Sequence, residues 1–364
     1  ADKLVTEITN NYGGTATKTG TGFPVSATVD GKSFTIDGDG NVTSTGSGNG
    51  PTERKLLSEI TGNETANTPA KDNLGNPITI PAGFEVDNPN DNVEDGIVVR
   101  DKTHTKTAGS EFVWIPVGNV KTRDKGTINI ELNRYTFGSN GKETKQGTNK
   151  IDDGYTEDTA AKHDNNYKNT IAKDIEDFKS KAESSSYGYY IGRYEARTDT
   201  KRSSSTTDDN LTQITTKPND YVYNYVTQPQ AAALSRGMYE GTPFESDLVN
   251  SYAWDTATLF LQTIDNRTTD KSEKYSLQHS LNSGLASQGT NNLTEASKID
   301  KICNVYDMAS NCYEWSTETY TNSNGPCIFR GGYYIYSYSC TRLRFYVATT
   351  TSSSYGSFRP LLYL

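Results

Sequence analysis

Four cysteines are the residues best suited to chemistry in this 364-residue sequence. Cys303, Cys312, Cys327 and Cys340 all lie near the C-terminus, none belongs to a CxxC pair, and the three histidines do not group with them. This spacing does not predict a zinc site, and it leaves a single disulfide such as Cys312–Cys327 open. Cys340 has no histidine or acid close to it in sequence, so we expect a passive thiol and not a nucleophile.

Charge and composition narrow the classes of function further. The formal net charge is -9 and the sequence pI is about 5.0, so nucleic acid is not an expected partner. Only 32% of residues are hydrophobic, but 24 Tyr, 11 Phe and several clean β patterns predict a folded protein with much ordered loop and an aromatic core.

No apolar run is long enough to cross a bilayer, and we expect no membrane contact by the chain itself. Because the chain starts at Ala1 and not at Met, we expect that an N-terminal signal or anchor could have been removed.

Residues 1–70 are predicted to form a small β-rich extension that serves for attachment or as a stalk. "PVSATVDGKSFTID" alternates apolar and polar residues around Asp30-Gly31, which indicates a hairpin with a two-residue turn. The following "GDGNVTSTGSGNGPT" is rich in Gly, Ser and Thr and is typical of a linker. We therefore place a boundary near residue 70 and a second domain over residues 71–364.

The second domain is predicted to be α+β, with short strands, packed helices and much irregular loop. "EFVWIPVGN" and "YGYYIGRYEA" have the composition of strands, whereas the polar stretch Gly138–Asn169 indicates a surface loop. Thr227 and Gln230 have the spacing of a helix capping box, with Pro229 in the first turn. Apolar periodicity and these caps predict helices over residues 170–184, 227–241 and 246–264.

The last segment, "RGGYYIYSYSCTRLRFYVATTTSSSYGSFRPLLYL", has an unusual composition. Arg330–Leu364 contains no Lys, Glu, Gln, Asp, Asn, His, Met or Trp, although the rest of the chain is rich in Lys, Asp and Asn. Tyr334, Tyr336 and Tyr338 recur at period two, so a strand would place all three on one face. Selection for strand propensity alone is one explanation of such a segment.

Several ordered motifs resemble a known family. "NVYDMASNCYEWSTE" followed by "FRGGYY" and "SFRPLL" is similar to the "YDMxGNVxEW … RGGSW … GFR" signature of the C-type-lectin fold of the formylglycine-generating-enzyme type. "FVWIPVG", "YYIGRYEA", "VTQPQAAALSRGMYE" and "NSYAWDTA" match earlier pieces of the family pattern in order. The resemblance extends from about residue 72 to the C-terminus and implies this fold for that part of the chain.

Two kinds of protein share that fold. The enzymes oxidise a substrate cysteine with a cysteine pair just after "RGGSW", and alignment on Arg330-Gly331-Gly332 places those positions at Tyr336 and Thr341. Cys340 is one residue out of register, so copper or thiol oxidase chemistry is not expected. We expect no enzyme activity and no cofactor, with calcium the one exception considered below.

The other kind comprises the variable proteins of diversity-generating retroelements, in which adenines in the codons of the final segment are mutated. Codons of the form AAC or AAT that mutate at adenine can never encode Lys, Glu, Gln, Met or Trp, and Arg330–Leu364 contains none of these five. The resemblance therefore implies a hypervariable, tyrosine-rich contact surface, and tyrosine gives large contact area at little rotamer entropy. The residues expected to contact ligand are Ile335, Tyr336, Tyr338, Ser339, Cys340, Phe345, Tyr346, Val347, Ser354, Tyr355 and Gly356.

Other positions are expected to be fixed. Five residues match the family pattern and are interpreted as framework: Arg330, Gly331, Gly332, Phe358 and Arg359. Arg344 is added to them as a residue that could bond loop carbonyls. Asn311 and Glu314 match family positions that bind calcium through oxygen ligands. Ser310 replaces the family glycine there, and the alternative is that both residues make turn and sheet hydrogen bonds beside Trp315.

The leading hypothesis is thus a surface-displayed, adhesin-like or receptor-like protein that binds a macromolecule or a glycan. Its expected location is the bacterial cell surface, with a phage tail tip as the alternative. A cysteine oxidase and an invariant, pilin-like structural protein are the competing interpretations.

Overall fold

The computed structural model describes most of the chain, and the statements below concern the described residues alone. These are residues 2–11, 15–18, 22–29, 32–38, 42–44, 54–148, 151, 154–157, 172–204, 213–265, 274–277, 293–294, 299–321, 325–335, 340–348 and 350–364. The chain divides into two compact units, Ala1–Arg54 and Lys55–Leu364. The division lies earlier than the boundary expected near residue 70, because Thr68–Lys71 pairs with both Lys55–Leu56 and Pro77–Ile80.

The first unit is a helix beside an antiparallel sheet. Its elements are α1 (Asp2–Asn11), β1 (Thr15–Lys18), β2 (Val25–Val29), β3 (Lys32–Ile36) and β4 (Val42–Ser44), with the strands in sequential order. Pairing of β2 with β3 confirms the predicted hairpin, whose Asp30-Gly31 turn lies outside the described residues. The sequence did not indicate α1, and β4 falls inside the predicted linker. Ile8 of α1 packs with Val25 and Ala27 in a small core of this unit.

The second unit contains many short strands and three α-helices among its described residues. Its elements are β5 (Lys55–Leu56), β6 (Thr68–Lys71), β7 (Pro77–Ile80), β8 (Phe84–Val86), β9 (Val98–Asp101), β10 (Glu111–Pro116), β11 (Gly118–Thr122), β12 (Gly126–Ile130), β13 (Tyr135–Phe137), β14 (Glu143–Lys145), β15 (Tyr155–Thr156), α2 (Ile175–Ser180), β16 (Gly188–Gly192), β17 (Arg197–Thr198), β18 (Tyr221–Val222), α3 (Gln228–Gly237), β19 (Glu245–Leu248), α4 (Ser251–Ile264), β20 (Lys301–Ile302), β21 (Val305–Tyr306), β22 (Tyr313–Tyr320), β23 (Cys327–Arg330), β24 (Arg344–Val347), β25 (Gly356–Phe358) and β26 (Pro360–Tyr363). The α+β class is confirmed. No helix in the described ranges has the length and apolar character that a membrane span requires.

The helices begin where polar side chains can cap them. Thr227 caps α3 through the predicted capping box with Gln230, and Asn250 accepts a hydrogen bond from Ala253 N at 2.8 Å at the start of α4. α4 is buried around most of its circumference, as its sequence predicts, but it begins at Ser251 and not at residue 246, because Glu245–Leu248 forms β19. α2 is shorter than the predicted helix over 170–184, because Asp174 caps it and a π-helical turn, Lys181–Ser185, ends it.

The polar stretch Gly138–Asn169 is not a plain loop where it is described. β14 pairs with β13, and β15 pairs with the end of β22 through Tyr155↔Tyr320 and Thr156↔Thr319. Short strands rich in polar residues carry no alternating apolar pattern, so the sequence did not indicate them. Most of the later part of this stretch lies outside the described residues.

Two sheets position the C-terminal segment. A six-stranded sheet has the order β19-β26-β16-β10-β9-β8, so the last strand of the chain lies in its interior. A five-stranded sheet has the order β15-β22-β23-β24, with β25 pairing in parallel with β22. The segment from residue 330 onward therefore leaves β23, returns as the edge strand β24 and ends between two strands of the other sheet.

The C-terminal segment is tightly packed at its start, where Gly331 lies against the backbone of Met308. Its φ is +75°, and a Cβ placed there would lie 2.3 Å from the backbone oxygen of Met308. We expect Gly331→Ala to lower the free energy of unfolding by at least about 2 kcal/mol, measured by urea denaturation. Gly237→Ala is the control, since Gly237 lies in α3 with nothing within 4 Å of its Cβ position, and it should be neutral or stabilising by up to about 1 kcal/mol. Equal effects of the two substitutions would contradict a tightly packed Gly331.

Candidate functional site

A cluster of buried charges holds both ends of the first loop of the C-terminal segment. Arg330 ends β23 and Arg344 begins β24, and the two are register partners in the antiparallel pair. Arg330 donates to Asp255 of α4 at 2.6 Å and to Glu318 of β22 at 3.0 Å. Arg344 donates to the same two carboxylates, and Arg134 also pairs with Glu318. The loop between residues 330 and 344 is therefore closed at its base by ion pairs and by strand hydrogen bonds.

Opposite charges in this cluster stabilise one another, although burial and the neighbouring Arg344 lower the pKa of Arg330. Burial alone would raise the pKa of Glu318, but Arg344, Arg134 and Arg330 together outweigh it and lower this pKa to about 2. Burial opposes the charge of Arg344 as well, yet the carboxylates of Asp255 and Glu318 raise its pKa above the ordinary arginine value. Arg344 was expected to bond loop carbonyls, and it reaches the carbonyl of Tyr135 only at 3.4 Å. Its main partners are the two carboxylates.

A second buried pair fixes the end of the segment. Both side-chain oxygens of Glu314 accept hydrogen bonds from Arg359, at 2.7 and 3.0 Å. Arg359 also donates to the carbonyls of Gly192 and Tyr306, each at 2.7 Å. The residues interpreted as framework, Arg330, Gly331, Gly332, Phe358 and Arg359, are all buried.

The same geometry bears on the calcium expectation. Glu314 is committed to Arg359, and Asn311 donates to Glu195 Oε1 at 2.8 Å and to the carbonyl of Leu293 at 3.2 Å. These contacts match the alternative in which both residues make structural hydrogen bonds. Within the described ranges, no group of three or more His, Cys, Asp or Glu side chains is arranged to hold a metal ion.

The predicted contact residues fall into four groups. Ile335, Phe345 and Tyr346 are exposed, at 59%, 45% and 47% of their surface, and Val347, Ser354 and Tyr355 are half-buried. Tyr336, Tyr338 and Ser339 lie outside the described residues. Cys340 and Gly356 are buried.

The two buried positions do not offer side-chain surface to a ligand. Cys340 is 3% exposed, and it begins the turn in which Leu343 N donates to its carbonyl at 3.0 Å. A Cβ at Gly356 would lie 2.6 Å from Cζ of Phe329, so a side chain there would meet the core. Both residues belong with the framework.

The period-two strand expected for "YYIYSYS" is not formed in its described part. Tyr334 and Ile335 lie in a turn, and Tyr334 is buried with its backbone N–H donating to the carbonyl of Asn311 at 2.9 Å. Tyr334 therefore does not contribute to an exposed strand face, and Tyr336 and Tyr338 lie outside the described residues.

Stacked aromatic rings connect the exposed residues to the core. Phe345 stacks on Tyr313 at a centroid distance of 5.9 Å, and Tyr313 in turn stacks on Phe329 at 5.6 Å. Phe329 stacks on the buried Trp315 at 3.7 Å. Register explains the column, because Trp315↔Phe329 and Phe329↔Phe345 are partners across β22, β23 and β24. A ring exposed at the edge strand is thus supported by three rings beneath it.

Four further tyrosines border the exposed set, and sequence reasoning missed them. Tyr333 lies 4.7 Å from Tyr313 and 5.1 Å from Tyr355, between ring centroids. Tyr346 stacks on Tyr320 at 4.9 Å, and Tyr320 lies 4.8 Å from Tyr155. Tyr155 belongs to the polar stretch predicted as a loop, and no local pattern links it to a segment almost two hundred residues later.

The cysteine thiols lack the features that an oxidase would require. All four cysteines are free. Burial raises the pKa of the Cys340 thiol, and burial raises that of Cys327 to about 12, which disfavours the reactive thiolate. Thr341 is buried, and its carbonyl accepts a hydrogen bond from Trp254 at 2.8 Å. Tyr336 lies outside the described residues.

Comparisons with known proteins gave structural matches only. No protein-family model matches the sequence, and a search of curated proteins found no match. Among solved structures, the chain is similar to PvdO from Pseudomonas aeruginosa, with 12% identity, a TM-score of 0.34 and coverage of 70% of this chain and 95% of that one. Treponema denticola variable protein 1 matches with 12% identity, a TM-score of 0.35 and coverage of 70% and 96%. CarF matches with 12% identity, a TM-score of 0.33 and coverage of 63% and 97%. Likenesses of this size carry no argument about what this chain does.

Removing one partner of the buried cluster should be costly. We expect Arg344→Ala to lower the free energy of unfolding by about 3–5 kcal/mol, because it leaves the carboxylates of Asp255 and Glu318 buried with less compensation. Arg123→Ala is the matched control, since Arg123 pairs with Glu94 and Asp95 with its side chain 52% exposed, and its cost should stay below about 1 kcal/mol. Urea denaturation of both variants measures the difference, and similar small costs would show that the cluster does not hold the loop.

The cluster also predicts a dependence on pH. Glu318 has a folded pKa of about 2 against an ordinary value of 4.5, so its stabilisation is complete above pH 4.5 and is lost as the pH falls toward 2. The difference in unfolding free energy between wild type and Glu318→Gln should therefore shrink on acidification. Glu157 gives the opposite sign, because burial raises its pKa, and the difference between wild type and Glu157→Gln should grow on acidification. Unfolding curves collected from neutral pH to about pH 2 distinguish the two, and parallel curves would contradict the assignment.

Proposed function

We propose that this chain is a non-enzymatic binding protein whose C-terminal segment is diversified by a retroelement and displayed at a bacterial surface. One observation carries the proposal: the segment is anchored at its base and at its end by buried arginines, yet it exposes Ile335, Phe345 and Tyr346. Exposed apolar and aromatic side chains of this kind are typical of contact surfaces. On a surface that binds no partner they would only lower the solubility of the protein.

The composition of the segment supports the genetic part of the proposal. The five residue types that adenine mutagenesis of AAC and AAT codons cannot produce are absent from Arg330–Leu364. Selection for strand propensity explains this less well, because no described residue between β23 and β24 lies in a strand. Exposed positions in the segment bear little on stability, so they can change without loss of the fold.

Burial distinguishes the positions of the segment at which a substitution would disrupt the fold from those at which it would alter only the surface. Substitution of Arg330, Arg344 or Arg359 breaks a buried ion pair, whereas substitution of Ile335 or Tyr346 alters exposed surface. A diversified protein requires both buried structural positions and exposed exchangeable positions within one continuous segment. Buried thiols with raised pKa values likewise favour binding over cysteine-based catalysis.

Sequencing the gene and its surroundings in closely related isolates tests the proposal. We expect differences concentrated at codons for exposed residues such as Ile335, Phe345 and Tyr346, and none at Arg330, Arg344 and Arg359. A near-copy of the final codons should lie close to the gene, with adenine where the gene varies, beside a gene for a reverse transcriptase. Identical C-terminal segments in all isolates, without such a copy, would favour the invariant structural protein.

Antibody labelling of intact cells tests the location separately. Labelling at the cell surface supports display by the bacterium, whereas labelling only of released phage particles supports the tail-tip alternative. A purely intracellular signal would remove display from the proposal and leave the genetic part standing.

A further inference from the structure

A row of tyrosine rings crosses the five-stranded sheet beside the C-terminal segment. Tyr155 of β15 lies 4.8 Å from Tyr320 of β22, and Tyr320 stacks on Tyr346 of β24 at 4.9 Å with an interplanar angle of 19°. Phe345 continues the row at 6.4 Å from Tyr346. Only the last two residues belong to the segment after Arg330. We call these four residues the aromatic row.

The two tyrosines outside the segment are held firmly. Tyr155 and Tyr320 are strand partners, and Tyr320 N donates to the carbonyl of Pro326 at 2.9 Å. A Cβ at Gly154 would lie 3.1 Å from Cε2 of Tyr320, and one at Gly325 would lie 3.0 Å from Cδ2 of Tyr346. The rings of Tyr320 and Tyr346 therefore lie close to the backbone of these glycines. Both Tyr155 and Tyr320 remain half-buried and not enclosed.

Resting on the proposed function, we infer that the binding surface extends beyond the diversified segment onto Tyr155 and Tyr320, and that its partner is a protein that presents apolar or aromatic side chains. The changing side chains at 345 and 346 would supply specificity. The two fixed rings would supply contact energy common to every version of the segment. Rigid tyrosines beside exchangeable neighbours give affinity at low entropic cost.

The polar chemistry of the surface favours a protein over a glycan. Recognition of neighbouring sugar hydroxyls relies on planar groups that bond two atoms at once, and the segment after Arg330 has no carboxylate, amide or imidazole side chain. Its arginines are engaged inward, and Arg342 donates to the carbonyls of Phe137 and Gly138 at 2.7 and 3.0 Å. What remains is aromatic and aliphatic surface with hydroxyl groups. Cores of protein–protein interfaces have this composition, enriched in Tyr and Phe and depleted in Lys, Glu and Asp.

The test uses the full chain as bait for two defined probes, a phage-displayed library of random peptides and a printed glycan array. We expect enrichment of peptides rich in aromatic and aliphatic residues and no glycan that binds through the aromatic row. The dissociation constant of an enriched peptide should rise about tenfold in Tyr320→Ala and in Tyr155→Ala, and it should change by less than about threefold in Tyr320→Phe, which keeps the ring.

Tyr221→Ala is the matched control, because Tyr221 is also half-buried but lies in β18, outside the aromatic row. Thermal melting of each variant separates loss of binding from loss of fold, and Tyr320→Phe keeps the test valid if Tyr320→Ala melts early. Glycan binding that Tyr320→Ala abolishes would overturn the choice of partner. Peptide binding unchanged in both alanine variants, or no enrichment at all, would overturn the extended surface, while the isolate comparison above would still decide the proposed diversification.

Discussion

The buried pairing of Arg330 and Arg344 with Asp255 and Glu318 is the constraint on which the C-terminal segment depends. Taking four charges out of water is unfavourable unless each finds opposite charge and hydrogen bonds at once. That requirement is met only when β23 and β24 are in register and α4 lies across them, so the pairing selects one arrangement of three elements. An apolar core could hold the same elements together, but it would tolerate small shifts between them. Directional ion pairs do not tolerate such shifts. The loop that they close therefore starts at Arg330 and ends at Arg344 in fixed positions.

This constraint separates stability from the identity of the exposed side chains. The column of rings from Phe345 through Tyr313 and Phe329 to Trp315 connects the edge strand β24 to the core. A substitution at the top of the column changes the surface while the rings beneath stay packed. The final strand β26 adds a second anchor, because it lies between β16 and β19 in the other sheet. The two anchors therefore hold the segment at residues 330, 344 and 359 whatever the exposed side chains are.

Sequence patterns predicted those features that local physics determines. The capping box at Thr227 and Gln230, the apolar circumference of α4 and the alternation in β2 and β3 all depend on residues close together in the chain, and each was confirmed. The framework arginines could also be predicted, though only through the resemblance. Their partners could not, since Asp255 and Glu318 look in sequence like ordinary polar positions of a helix and a strand. Tyr155 and Tyr320 were missed for the same reason, because ring stacking between distant segments leaves no periodic trace.

The assignment of exposed and buried positions in the segment shows where strand alternation fails as a guide. Arg344 and Tyr346 are two residues apart in β24 and so share a face, yet Arg344 is engaged with buried carboxylates and Tyr346 is exposed. The difference arises from what lies across that face. α4 supplies Asp255 opposite Arg344, whereas Tyr346 stacks on the half-buried Tyr320 and lies beside the exposed Phe345. Whether a residue of this strand can change therefore depends on what packs against its side chain and not on the pleat alone. Period-two reasoning fails at Tyr334 as well, because Tyr334 lies in a turn and is buried.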